Sequence, residues 1–169
     1  MSLKQATKTQ HHAAERHPVG AAMADGTISP QWWADWLGAL FIIHSAIDCW
    51  LPEPMQRLTQ IAYDVHKNGL TPNPSYAALA YAQSITDRQR AEGAAYVFTG
   101  AHLMGGAITA KENAYRVPVT HLLWDDRKEV VQQWSPLRDR EDLEAYALEA
   151  FEVVIQIMDE IKQYGAEQQ

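Results

Sequence analysis

A single cysteine, Cys49, stands in 169 residues, so no disulfide can close within the chain and the fold must be held by its core. Apolar runs are short as well. None approaches the roughly 18–20 residues that a bilayer span needs, and MSLKQATKTQHH at the start lacks the apolar centre of a signal peptide. These features lead to the expectation of a cytoplasmic protein with no membrane partner. Positive charge is scarce: 14 Lys and Arg against 21 Asp and Glu leave a net charge of -7, which argues against nucleic acid as a partner.

The chain also lacks HExxH, CxxC, GxSxG and any phosphate-cradling glycine loop, which removes the commonest enzyme classes readable from sequence. It has no internal repeat, no Ser/Gly-rich linker and no segment that alternates at period two for long enough to be a strand. What remains is apolar periodicity of the helical kind, with 47% hydrophobic residues in a length suited to one core. The expectation is an all-α fold in one domain spanning residues 1–169.

Ser2, with Gln5 three positions on, has the pattern of a capping box and predicts a first helix to about Arg16, closed by His17-Pro18. Ser29 and Pro30 open a long helix with Trp33, Trp36, Leu37, Leu40, Ile43 and Ile47 on one stripe. Pro54 opens a third, and a short helix runs from Ser75 to Gln83. A longer one, capped by Thr86 or Asp87, runs from about Arg88 to Asn113. A short helix falls within HLLWDDRKEVVQQW. The last begins near Arg140, with apolar residues at 143, 147, 148, 151, 154, 155, 158 and 161 and an end expected at Gly165.

Two helical faces stand out. On the first helix Lys4, Lys8, His11 and Glu15 follow one another at spacings of four, three and four, so all share one side. A neutral imidazole ligates iron or zinc well, and a carboxylate one turn on can fix its tautomer, which makes His11 a candidate ligand and Glu15 its partner. Lys4 and Lys8 sit where the helix dipole disfavours cations, so they suit either a solvated face or an adjacent anion. His12 lies about 100° round from His11 and reads as a bystander. His44 and Asp48, four apart, read as a packing or hydrogen-bonding pair, and His66 and His121 stand alone.

The second face is built from Ala95, Thr99, His102, the pair Gly105 and Gly106, and Thr109 in the segment that contains HLMGG. Two adjacent glycines inside a helix each cost about 0.5–1 kcal/mol relative to alanine. Small residues at these positions admit a close neighbour, either another helix or a flat ligand, and the glycine pair makes a bend plausible.

The two faces together resemble the heme oxygenase family. LKQATKTQHHAAE, residues 3–15, is similar to the family's N-terminal helix, and AYVFTGAHLMGGAI, residues 95–108, to its distal helix, which bends over heme at a Gly-Gly pair. The closing AFEVVIQIMDEI is similar to its final helix. The resemblance implies His11 as the proximal ligand to heme iron, Glu15 as its acidic partner, Lys4 and Lys8 at the propionates, and Thr99, Gly105 and Gly106 against the porphyrin. It also implies oxidative cleavage of heme to biliverdin, carbon monoxide and ferrous iron, with O2 and with electrons from a reductase or ferredoxin.

The chain departs from the family at one position. Many members carry an aspartate three residues before the first paired glycine, where it anchors distal water; here the residue is His102. A histidine can hold water as donor or acceptor. A second reading therefore keeps heme but not turnover: a carrier or sensor in which His102 binds the iron as a sixth ligand.

Overall fold

A computed structural model describes residues 2–167, and among them there is no strand. Ten α-helices, joined by short 3-10 turns, follow in order: α1 (Leu3–Ala6), α2 (Lys8–Arg16), α3 (Pro18–Asp25), α4 (Pro30–Ile47), α5 (Leu58–Asn68), α6 (Tyr76–Ser84), α7 (Arg88–Gly100), α8 (Gly106–Asn113), α9 (Arg127–Trp134) and α10 (Glu144–Glu167). A π-helical turn over Ala101–Gly105 joins α7 to α8 without a break. None of the helices is long and apolar enough to cross a membrane.

α4 and α10 form the spine. Trp33, Leu37, Leu40, Ile43 and Ile47 of α4 are all but inaccessible, as are Ala147, Ala150 and Ile157 of α10. Burying each of the larger aliphatic side chains contributes about 1.5–3 kcal/mol. α5 and α6 pack on α4, while α2 and α7 both pack on α10. The spine thus holds the two faces singled out in the sequence.

The first helix is divided. Thr7 turns its hydroxyl back onto the carbonyl of Leu3 at 2.7 Å and leaves regular helical geometry, with φ -95° and ψ 3°, so α1 and α2 meet at an angle there. The capping box expected at Ser2 does not form; the Ser2 hydroxyl meets the Gln5 side chain at 3.4 Å instead. His17-Pro18 closes α2 but also starts α3, a helix the composition did not announce. The His17 Nδ1 accepts from the Val19 amide and its Nε2 lies 3.1 Å from Asp159 of α10, so one imidazole caps α3 and docks it.

Pro54 falls in a 3-10 turn rather than opening α5, which begins four residues later. Gly165 does not end α10. The helix runs past it, and the bare position lets the Trp32 indole come to 2.6 Å from where a Cβ would sit.

Candidate functional site

The site is assembled by two helices that share a floor. Thr7, one turn before His11, lies beside the Tyr96 phenol of α7, which brings the N-terminal segment against the long helix. Burial pushes the Tyr96 phenol up, with Thr7 and Arg138 partly opposing it. Its ring stacks on Trp134 at 5.6 Å and 5°, and Trp134 in turn lies against Gly100, where a Cβ would come within 2.7 Å of the indole.

On α2, His11 is half-exposed and its ring meets Phe151 of α10 edge-on at 5.8 Å. Its Nδ1 faces Glu15 at 3.5 Å. That leaves Nε2 with no protein partner among the described residues. His12 lies 6.1 Å away ring to ring, and His11, His12 and Glu15 bring ligand atoms within 4.8 Å of one another, so His12 is nearer to this chemistry than its place on the helical wheel suggested. Lys4 and Lys8 are exposed and make no ion pair among the described residues.

The glycine segment bends by widening. In the π turn the backbone repeat is interrupted, and two of its carbonyls are taken from outside: Trp124 Nε1, just before α9, donates to the His102 carbonyl at 3.3 Å, and Arg127, the first residue of α9, donates to that of Leu103 at 3.2 Å. Its two glycines then divide the work. A Cβ on Gly105 would meet nothing within 4 Å, so that backbone faces open space. Gly106 faces the other way, where a Cβ would sit 3.3 Å from Leu122, so its bareness serves packing and not the open face. Met104 and Ile108 flank the opening as exposed apolar residues at 55% and 63%. Thr99 is buried with its hydroxyl unpartnered among the described residues.

His102 points inward. It is 4% exposed, and its Nε2 lies 3.2 Å from Nε2 of His44, whose Nδ1 lies 2.8 Å from Oδ1 of Asp48. The other oxygen of Asp48 accepts the amides of Arg57 at 2.8 Å and Leu58 at 2.7 Å. On the opposite flank the His121 ring stands perpendicular to that of His102, with centroids 5.1 Å apart, and its Nδ1 is 2.7 Å from Asp64.

Burial pushes His102 well below the ordinary imidazole range, with His121, His44 and Arg57 adding to the effect. His121 is lowered by burial too, against the pull of Asp64. Burial alone would raise the Asp64 carboxyl, but hydrogen bonds from the His121 ring and amide and from Thr120 outweigh it and hold it low. His102 and His121 are therefore neutral, and Asp64 is ionised.

This inward turn engages Nε2 of His102 with His44, within the protein. It also corrects the reading of His121 as solitary. Asp64 and His121 lie 57 residues apart, and no local spacing announces such a pair.

Arg57 braces the whole group. Its guanidinium donates to the carbonyls of His121 at 3.1 Å, Thr120 at 3.4 Å and Leu123 at 2.7 Å, and lies 3.9 Å over the Trp124 ring. A half-open cavity of about 520 Å³ reaches His44, Asp48, Arg57 and Trp124 from outside, and an apolar one of about 480 Å³ lies beside Ala107, Ala110 and Leu122. Neither includes His11 or Gly105.

No protein-family model and no curated protein matches this sequence. Solved structures do. The heme oxygenase-1 of the cyanobacterium Synechocystis, in complex with heme, aligns with a TM-score of 0.76 at 17% identity over 98% of this chain and 91% of its own. The heme oxygenase of Leptospira interrogans aligns with a TM-score of 0.76 at 17% identity over 95% of this chain and 97% of its own. Over nearly its full length, the chain has the fold of the bacterial heme oxygenases.

Proposed function

We propose that this protein is a heme oxygenase, which opens heme to biliverdin, carbon monoxide and ferrous iron using O2 and electrons from a reductase or ferredoxin. The observation that carries the reading is the pairing, on one fold, of a half-exposed His11 oriented by Glu15 with a π turn whose backbone at Gly105 faces open space. The residues fit the group. An imidazole with one nitrogen 3.5 Å from a carboxylate and the other without a protein partner among the described residues suits an iron ligand, and exposed Met104 and Ile108 offer apolar surface that a porphyrin would cover.

In this reading His11 would hold the iron through Nε2, with Glu15 3.5 Å from Nδ1 to accept its N–H and favour that tautomer. Lys4 and Lys8 meet the propionates. Gly105 keeps side chains off the face where oxygen must bind, and Thr99 supports the helix behind it. Heme supplies both the ring that is opened and the iron that activates oxygen. Placement by this chain's residues, and hydrogen bonding on the distal side through His102, do the rest.

Adding hemin and then an electron donor in air, with catalase present, tests the proposal. A Soret band that forms and then gives way to a biliverdin spectrum is expected. A Soret band that persists undiminished under reduction would instead indicate a heme carrier, and no band at all would overturn heme binding.

A further inference from the structure

We propose that Asp48 and His44 are positioning residues that fix the proton of His102 on Nε2 and leave its Nδ1 a bare hydrogen-bond acceptor. The service of that acceptor to distal water rests on the heme oxygenase reading; the arrangement of protons does not.

The hydrogen bonds lead inward from Asp48. Oδ2 of Asp48 accepts two backbone amides, those of Arg57 and Leu58, so this end of the side chain must be an acceptor. Oδ1, the other oxygen of the same side chain, is assigned as an acceptor too. His44 Nδ1 at 2.8 Å then donates, and we assign the single ring proton of His44 to that nitrogen, which gives Nε2 a lone pair. His102 Nε2 at 3.2 Å must then donate into that lone pair, which leaves Nδ1 of His102 without a proton.

The other groups around the pair leave this assignment intact. His121 donates from Nδ1 to Asp64, so its own Nε2 is bare; that atom is buried without a partner and has no proton to give His102. Arg57 is turned to the carbonyls of Thr120, His121 and Leu123 and to Trp124. Asp64 is taken by His121 and by the amides of Thr120 and His121. Nothing else among the described residues bonds the His102 ring.

A histidine thereby presents the hydrogen-bonding polarity of a carboxylate. The family's distal aspartate, the residue His102 replaces, is acceptor-only when ionised; His102 with a bare Nδ1 is acceptor-only at that nitrogen. Asp48 imposes this from two imidazoles away.

Asp48→Asn gives the test its edge. The two amides at Oδ2 require the asparagine oxygen at that end, which turns its NH2 toward His44 Nδ1. His44 must then carry its proton on Nε2, and His102 must accept there and protonate on Nδ1. One change of atom at position 48 reverses both tautomers.

Long-range proton–nitrogen correlation spectra of the heme-free, histidine-labelled full chain read this directly. The wild-type protein is expected to show His44 protonated on Nδ1 and His102 on Nε2, and Asp48→Asn to show both reversed. A wild-type His102 protonated on Nδ1 overturns the proposal without any variant, as does a folded Asp48→Asn protein with unchanged tautomers. In hemin-loaded protein the same substitution is expected to lower the rate of heme loss about 10- to 100-fold with hemin affinity little changed, the range seen when the partner of a functional histidine is removed. Failure of the wild-type protein to bind hemin would overturn the proposed function and leave the tautomer result standing.

Discussion

The indole N–H of Trp124 donates to the carbonyl of His102 at 3.3 Å, across 22 residues, and does so from beneath the Arg57 guanidinium. The widened turn is thus held from outside the helix that contains it. Trp124→Phe keeps the ring under Arg57 but removes the donor, and is expected to lower stability by about 1 kcal/mol in urea unfolding. Arg57→Lys should do more, about 2–4 kcal/mol, because a single ammonium cannot serve three carbonyls and a ring. Equal stability of Arg57→Lys and wild type would show that the brace is dispensable.

Stability and ligand binding should part at Gly105. Its bare position faces open space, so Gly105→Ala is expected to raise unfolding free energy by about 0.5–1 kcal/mol through helix propensity alone. Gly105→Leu should likewise leave the fold intact while weakening hemin binding. Gly100→Ala is the control, since its methyl would press on Trp134 and should destabilise. Unweakened hemin binding by folded Gly105→Leu would remove that backbone from the heme face.

His11 and His12 are adjacent, and both can reach the same point in space. Only His11 has Glu15 on its Nδ1. His11→Ala is therefore expected to abolish the axial-histidine signature in the spectrum of the hemin complex, and His12→Ala to leave it. Loss of the signature with His12→Ala alone would exchange their roles.

Acid should unfold the protein before its carboxylates protonate. His102 and His121 are buried neutral with lowered folded-state values, whereas in the unfolded chain they titrate near the ordinary 6.5. Below that value the unfolded state binds more protons, so stability falls as pH drops, by about 1.4 kcal/mol per unit for each histidine. Above it the contribution is fully present. Asp64, held low, adds a separate loss only under more acidic conditions. Denaturation midpoints between pH 7 and 5 check the sign, and a His102→Leu variant should show a shallower slope.

Much of this molecule was legible in one dimension. α4 announced itself through Ser29, Pro30 and an unbroken apolar stripe, and α7 through Asp87, whose carboxylate caps the Arg90 amide at 2.9 Å. The spacing of His11 and Glu15 placed the two side chains together as read. α3 was hidden because its cap is a histidine and its start is a proline that also ends α2. Gly105 and Gly106 read as a unit, yet a one-residue step turns a helical position by about 100°, which separates open space from Leu122. His102, His121, Asp64 and Arg57 carry no local signature, because their partners come from other segments.

That last feature has a meaning in time as well as in space. The contacts of Asp48 with His44, Arg57 and Leu58 are local; His102 to His44 closes 58 residues, His121 to Asp64 closes 57, and Arg57 to Leu123 closes 66. Such contacts wait for α4, α5 and the π turn to collapse around them, so the transition state for folding gains little from them. Their strength falls instead on the way out of the native state, where it slows unfolding while leaving the folding rate nearly unchanged. The buried group of histidines is thus expected to act as a latch, and a chevron of His102→Leu should show faster unfolding with the folding rate little changed.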